Sequence, residues 1–99
     1  MSEEFEVGEE YEAKNYLNSG YNFPKGKYKI KMKSEGFPED IVINQEELKH
    51  AKEQWMDGFE DDKKIYKEIY EGVWYYLKFP LSDDHFEWIP QGVMEDIFK

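Results

Sequence analysis

Lys25-Gly26-Lys27-Tyr28-Lys29-Ile30-Lys31-Met32-Lys33 places a lysine at every odd position and Tyr28, Ile30 and Met32 at even ones. A period of two belongs to a β-strand, whose successive side chains point to opposite faces. The stretch predicts a strand with one charged and one apolar face. Ser34-Glu35-Gly36 follows as a turn signal. Next comes Phe37-Pro38-Glu39-Asp40-Ile41-Val42-Ile43, whose β-branched end favours a second strand although Pro38 restricts its start. Together the two runs predict an antiparallel hairpin.

Downstream the period changes. Asn44 reads as a helix N-cap, with Glu47 three residues on as its capping-box partner. Leu48, Ala51, Trp55 and Phe59 then recur at steps of three or four, one apolar stripe of a helix that Gly58 ends. Asp61-Asp62 restarts a helix carrying Ile65, Tyr66, Ile69 and Tyr70, and Glu71-Gly72 stops it. Residues 73–79 are dense in β-branched and aromatic residues and are closed by Pro80, whereas His85-Phe86-Glu87-Trp88-Ile89 alternates before Pro90. These read as a second hairpin. A rival reading extends the helix through Gly72, because Ile65, Ile69, Val73 and Leu77 keep a four-residue step. Gln91 to Phe98 predicts a short closing helix, and residues 9–19 another short helix ended by Gly20. The expected architecture is α+β: a small antiparallel sheet of about four strands in two hairpins, two central helices on one face and a short C-terminal helix.

The 99 residues allow a single domain, with residues 1–8 as a flexible acidic arm. Aromatics make up 18% of the chain, which disordered acidic tails lack, so the composition describes a folded domain that is acidic. No cysteine is present, which removes disulfides and sulfur-based zinc sites. No apolar run reaches the ~18 residues of a membrane span, and Glu3 and Glu4 stand where a secretory signal would be basic, so a cytoplasmic protein is expected.

All thirteen bases are lysine; arginine and threonine are absent. Without the planar arginine fork a dedicated nucleotide or nucleic-acid reader is disfavoured. Four serines and two histidines are the whole stock for nucleophile and base chemistry, and no phosphate-binding, nucleophile-elbow or zinc-protease spacing occurs. Neither an enzyme, a cofactor nor a metal is expected. His50 (near Glu46 and Glu53) and His85 (near Asp83, Asp84 and Glu87) each bring only one imidazole, a weak first shell. Asp57-Gly58-Phe59-Glu60-Asp61-Asp62 does not have the order of an EF-hand loop. The lysine row would track phosphates, but it also suits a guarded edge strand, or neutralisation by Glu39, Asp40 or the N-terminal glutamates.

The charge is segregated. Residues 1–12 hold six glutamates and no base, residues 13–34 six lysines and no acid, and residues 35–62 ten acids against two lysines. Carboxylates three or four apart on a helix, or two apart on a strand, form rows about 6 Å apart that a basic groove would accept in place of phosphates. Glu35, Glu39, Asp40, Asp57, Glu60, Asp61 and Asp62 are the candidate partner-binding residues, with Glu9, Glu10 and Glu12 as a second patch. Eighteen aromatics exceed what a core of this size needs, so exposed Tyr and Trp beside acids are expected as interface anchors.

In size and composition, the chain is similar to phage-encoded host-takeover and DNA-mimic inhibitors of uracil-DNA glycosylase, restriction enzymes and CRISPR nucleases. It also resembles immunity proteins that plug nuclease toxins. The likeness lies in the whole chain's acidity and aromatic richness, not in a motif, so it carries no site residues over. It implies a non-enzymatic inhibitor bound to a basic DNA- or RNA-binding protein of a bacterial host, without direct contact to nucleic acid or membrane. The alternative is an adaptor, or an immunity-type module, that engages a non-nucleic-acid machine through exposed aromatics.

Overall fold

The lysine-rich stretch forms an interior strand of a four-stranded antiparallel sheet. The computed structural model describes residues 5–13, 24–42, 44–80 and 83–98. Strands β1 (Glu10–Glu12), β2 (Lys27–Glu35), β3 (Val73–Lys78) and β4 (Phe86–Pro90) lie in the order β1-β2-β3-β4. Helices α1 (Gln45–Trp55) and α2 (Lys63–Glu71) connect β2 to β3, and α3 (Gln91–Phe98) follows β4 directly.

Strand pairing assigns the two faces. Tyr11, Tyr28, Ile30, Tyr75, Leu77 and Ile89 share one face through the pairs Tyr11↔Tyr28, Ile30↔Leu77 and Tyr75↔Ile89. Phe98 of α3 lies 5.3 Å from the Tyr28 ring, and Phe5 lies 5.6 Å from Tyr75 and 6.0 Å from Phe98, so α3 and the N-terminal segment cover this side. Trp74, Tyr76 and Trp88 occupy the other face, where α1 and α2 reach them: Tyr76 Oη donates to Glu47 at 3.3 Å, and Trp74 Nε1 donates to the Ile69 carbonyl at 2.9 Å. A sheet covered on both faces explains why β3 reads as the nearly continuous run Val73-Trp74-Tyr75-Tyr76-Leu77 rather than as an alternation. It also absorbs the aromatics: Trp55, Trp74 and Trp88 are all buried, and among the described residues Phe59 is the one exposed aromatic ring. The expectation of exposed tryptophan anchors is thereby corrected.

The second hairpin is β3–β4, and the helix extension through Gly72 does not occur. Asn44 caps α1 as expected, its Oδ1 accepting from the Glu46 N–H at 2.9 Å. Glu47 accepts from the Tyr76 hydroxyl rather than closing a capping box. Asp62 Oδ1 caps α2 through the Ile65 N–H at 3.2 Å, and α2 ends at Gly72. The first helix stops at Trp55, and Gly58 lies in a separate 3-10 turn, Asp57–Phe59.

Five expectations are corrected. The strand expected at residues 37–43 is a 3-10 turn, Pro38–Asp40, with Pro38 at its start. Proline's fixed φ suits that turn, and β1 and β3 are the strands that flank β2 instead. Ile43 lies outside the described residues. The period-two pattern breaks at Lys31, because the register slips so that Ile30 faces Leu77 while Met32 faces the adjacent Tyr76. Such a bulge turns Met32 onto the face opposite Tyr28 and Ile30, where it is 39% exposed. The edge-strand reading of the lysines falls with the interior position of β2. The helix expected over 9–19 begins instead as β1, and residues 14–19 lie outside the described residues. Of the arm expected at 1–8, Phe5 is 4% exposed and its N–H donates to the Tyr75 hydroxyl, so residues 5–8 belong to the fold; residues 1–4 lie outside the described residues.

Candidate functional site

The ten candidate acids fall into three places. Glu35, Glu39 and Asp40 gather at the C-terminal end of α2, where the Phe37 N–H donates to the Tyr70 carbonyl at 2.7 Å and the two rings stack. Asp57, Glu60, Asp61 and Asp62 gather at its N-terminal end, which Asp62 caps. The nine residues of α2 separate these groups by about 13 Å along the helix axis. Exposed Lys63, Lys64 and Lys67 lie on the helix between them. All seven acids are exposed, and among the described residues none forms an ion pair.

The N-terminal patch has different surroundings. Glu10 pairs in register with Lys29 and Glu12 with Lys27, so these carboxylates stand directly across from ammonium groups on the same sheet face. In register the lysine row faces Glu10 and Glu12 rather than Glu39 or Asp40, and among the described residues no ion pair closes between them. Glu9 is exposed, and its carbonyl accepts from the Ile30 N–H at 3.1 Å.

The two histidines, read separately in the sequence, converge on one carboxylate. His50 Nε2 lies 3.3 Å from Glu87 Oε1 and His85 Nε2 lies 2.6 Å from Glu87 Oε2. The Glu87 side chain is 13% exposed, and the His85 ring stacks on Phe79 at 4.4 Å. This arrangement ties α1 to the β3–β4 hairpin. Among the described residues no group of three or more His, Asp or Glu side chains is placed to hold a metal ion. No helix among them is long and apolar enough to cross a membrane.

The sequence pattern does not announce a groove of about 770 Å³ at the end of the sheet where β3 begins and β4 ends. Its apolar lining includes Trp55 from α1, Phe59, Ile69 from α2, Val73, Pro90 and Val93 from α3. Three carboxylates, Glu68, Glu95 and Asp96, line it as well, and among the described residues no lysine does. Gln91 Nε2 donates to Glu95 Oε1 at 2.9 Å, which holds one of them in place. Phe59, 42% exposed at the groove, sits between Asp57 and Glu60 in sequence, so the groove adjoins the acidic group at the α2 N-terminus. The one available signal was Phe59, the member of the α1 stripe that falls beyond Gly58 and so beyond the helix's reach. Comparison with protein-family models, curated proteins and solved structures found no match for the chain.

Proposed function

We propose that this protein is a small acidic inhibitor that binds a basic nucleic-acid-handling partner by imitating DNA, in the manner of phage host-takeover proteins acting in a bacterial cytoplasm. The observation that supports this reading is the two groups of exposed carboxylates at the ends of α2, in no ion pair among the described residues, in a chain of net charge −10. Their field steers a cationic partner into encounter, and fixed negative charges on a folded scaffold meet a phosphate-binding groove without ordering a flexible chain. Glu10 and Glu12, opposed by lysines, contribute less to that field than the seven candidate acids at the two ends of α2.

Affinity capture on the immobilised protein from a bacterial lysate, with mass-spectrometric identification, tests the reading. A DNA- or RNA-binding protein that duplex DNA displaces is the expected result. A captured protein indifferent to DNA and to salt overturns it. Such a result would favour the alternative, an interaction module working through apolar contacts, for which exposed Phe59 and the groove beside it are the supporting observation.

A further inference from the structure

We infer that the groove bounded by α1, α2 and α3 is a docking site for a lysine- or arginine-flanked segment of a partner protein that presents two or three apolar side chains. This deepens the proposed function and rests on its premise of a basic partner. The volume of about 770 Å³ is that of a ligand-sized site. Its lining divides by chemistry: Trp55, Ile69, Val73 and Val93 offer apolar surface, while Glu68, Glu95 and Asp96 are exposed carboxylates, and among the described residues no cationic side chain lines it. Among the described residues none of the three carboxylates is in an ion pair. An anionic or neutral segment would leave them uncompensated, whereas a cationic one answers each of them while its apolar side chains cover Phe59 and Ile69. Asp57 and Glu60, on either side of Phe59, extend the same sign of charge outward. Apolar anchors in a groove with complementary charge at its edge is the general form of peptide docking.

The test is amide chemical-shift mapping on the ¹⁵N-labelled chain with short synthetic peptides that share a leucine-tryptophan-leucine centre and differ only in lysine, serine or glutamate flanks. The lysine-flanked peptide is expected to shift Gln54, Phe59, Ile69 and Gly92 and to bind about ten-fold more tightly than the serine-flanked one. The surface pair Glu68→Gln with Asp96→Asn should abolish that preference. Gly92→Leu should weaken all binding, since a Cβ at Gly92 meets nothing within 4 Å and a larger side chain can occupy the groove without disturbing the core. Equal affinity for lysine and serine flanks, shifts confined to the acids around Glu39 and Asp61, or no binding of any peptide would each overturn the inference. If Gly92→Leu still captures a partner that DNA displaces with wild-type affinity, the groove assignment fails and the mimic reading stands. If the groove binds the lysine-flanked peptide but DNA displaces no captured partner, the mimic reading fails alone.

Discussion

The indole Nε1 of Trp74 donates to the main-chain carbonyl of Ile69 at 2.9 Å, one of several bonds that close the C-terminal end of α2. The last carbonyls of a helix have no partner within it. Here the Glu68 carbonyl accepts from the Gly72 N–H, the Ile69 carbonyl from Trp74 and the Tyr70 carbonyl from the Phe37 N–H. A nine-residue helix has little stability of its own, so these bonds and the packing of Tyr70 on Phe37 hold it to the sheet. Trp74→Phe keeps most of the ring's apolar surface but leaves the Ile69 carbonyl without this donor. Urea unfolding should show a loss of about 1–3 kcal/mol, with amide exchange rising first in α2. Unchanged exchange there would show that the bond does not hold the helix.

Gly26 precedes β2 at φ +148°, a conformation that side chains rarely adopt, and a Cβ there would stand 2.7 Å from Pro80 Cγ. Gly26→Ala should therefore cost about 1–3 kcal/mol in thermal or urea unfolding. Gly92→Ala, in a helix with open space around it, should be neutral or stabilising.

Tyr28 is fully buried, and its hydroxyl donates to the Pro24 carbonyl; burial first and the nearby Glu87 carboxylate second push its hydroxyl well above the ordinary tyrosine range. Burial and then Glu47 raise Tyr76 as well. A group whose pKa is raised on folding keeps its proton more tightly in the native state. The stability it confers is complete below the unfolded value near 10 and is lost as pH climbs above it. Alkaline titration of the phenolate absorbance should show a late fraction that becomes visible only with unfolding. Tyr28→Phe should remove part of that fraction. Full titration of every tyrosine at the ordinary value, with the fold intact, would contradict the burial argument.

The pairing of Glu10 with Lys29 is open to a charge-swap cycle. Glu10→Lys should destabilise by about 0.2–1 kcal/mol, and adding Lys29→Glu should restore most of the loss. Absence of rescue would mean that the two side chains do not interact across the strands.

Local signals carried much of this fold. The caps at Asn44 and Asp62, the stop at Gly72, the β3–β4 hairpin and the closing helix each follow from residues within a few positions of the element they define. What failed was non-local. Nothing near Ile41 or Val42 announces that β2 lies between β1 and β3, and Pro38 was a better guide than the β-branched residues after it. The slip at Lys31 is invisible in a perfect alternation because it depends on how Ile30 and Met32 meet Leu77 and Tyr76. The seven candidate acids were legible as exposed, but their division between the two ends of α2 was not. The groove draws on four separate parts of the chain and leaves no periodic trace in any of them.

The rate at which the captured partner associates with this protein, measured across a range of salt concentrations, reports on the carboxylates at the α2 N-terminus. The comparison is with Asp57→Asn combined with Glu60→Gln and Asp61→Asn, which spares the Asp62 cap. The wild-type association rate should fall steeply with salt, and the neutralised chain should associate several-fold more slowly at low salt with a shallower dependence, while dissociation changes little. Identical association rates for the two chains at every salt concentration would contradict the proposed function.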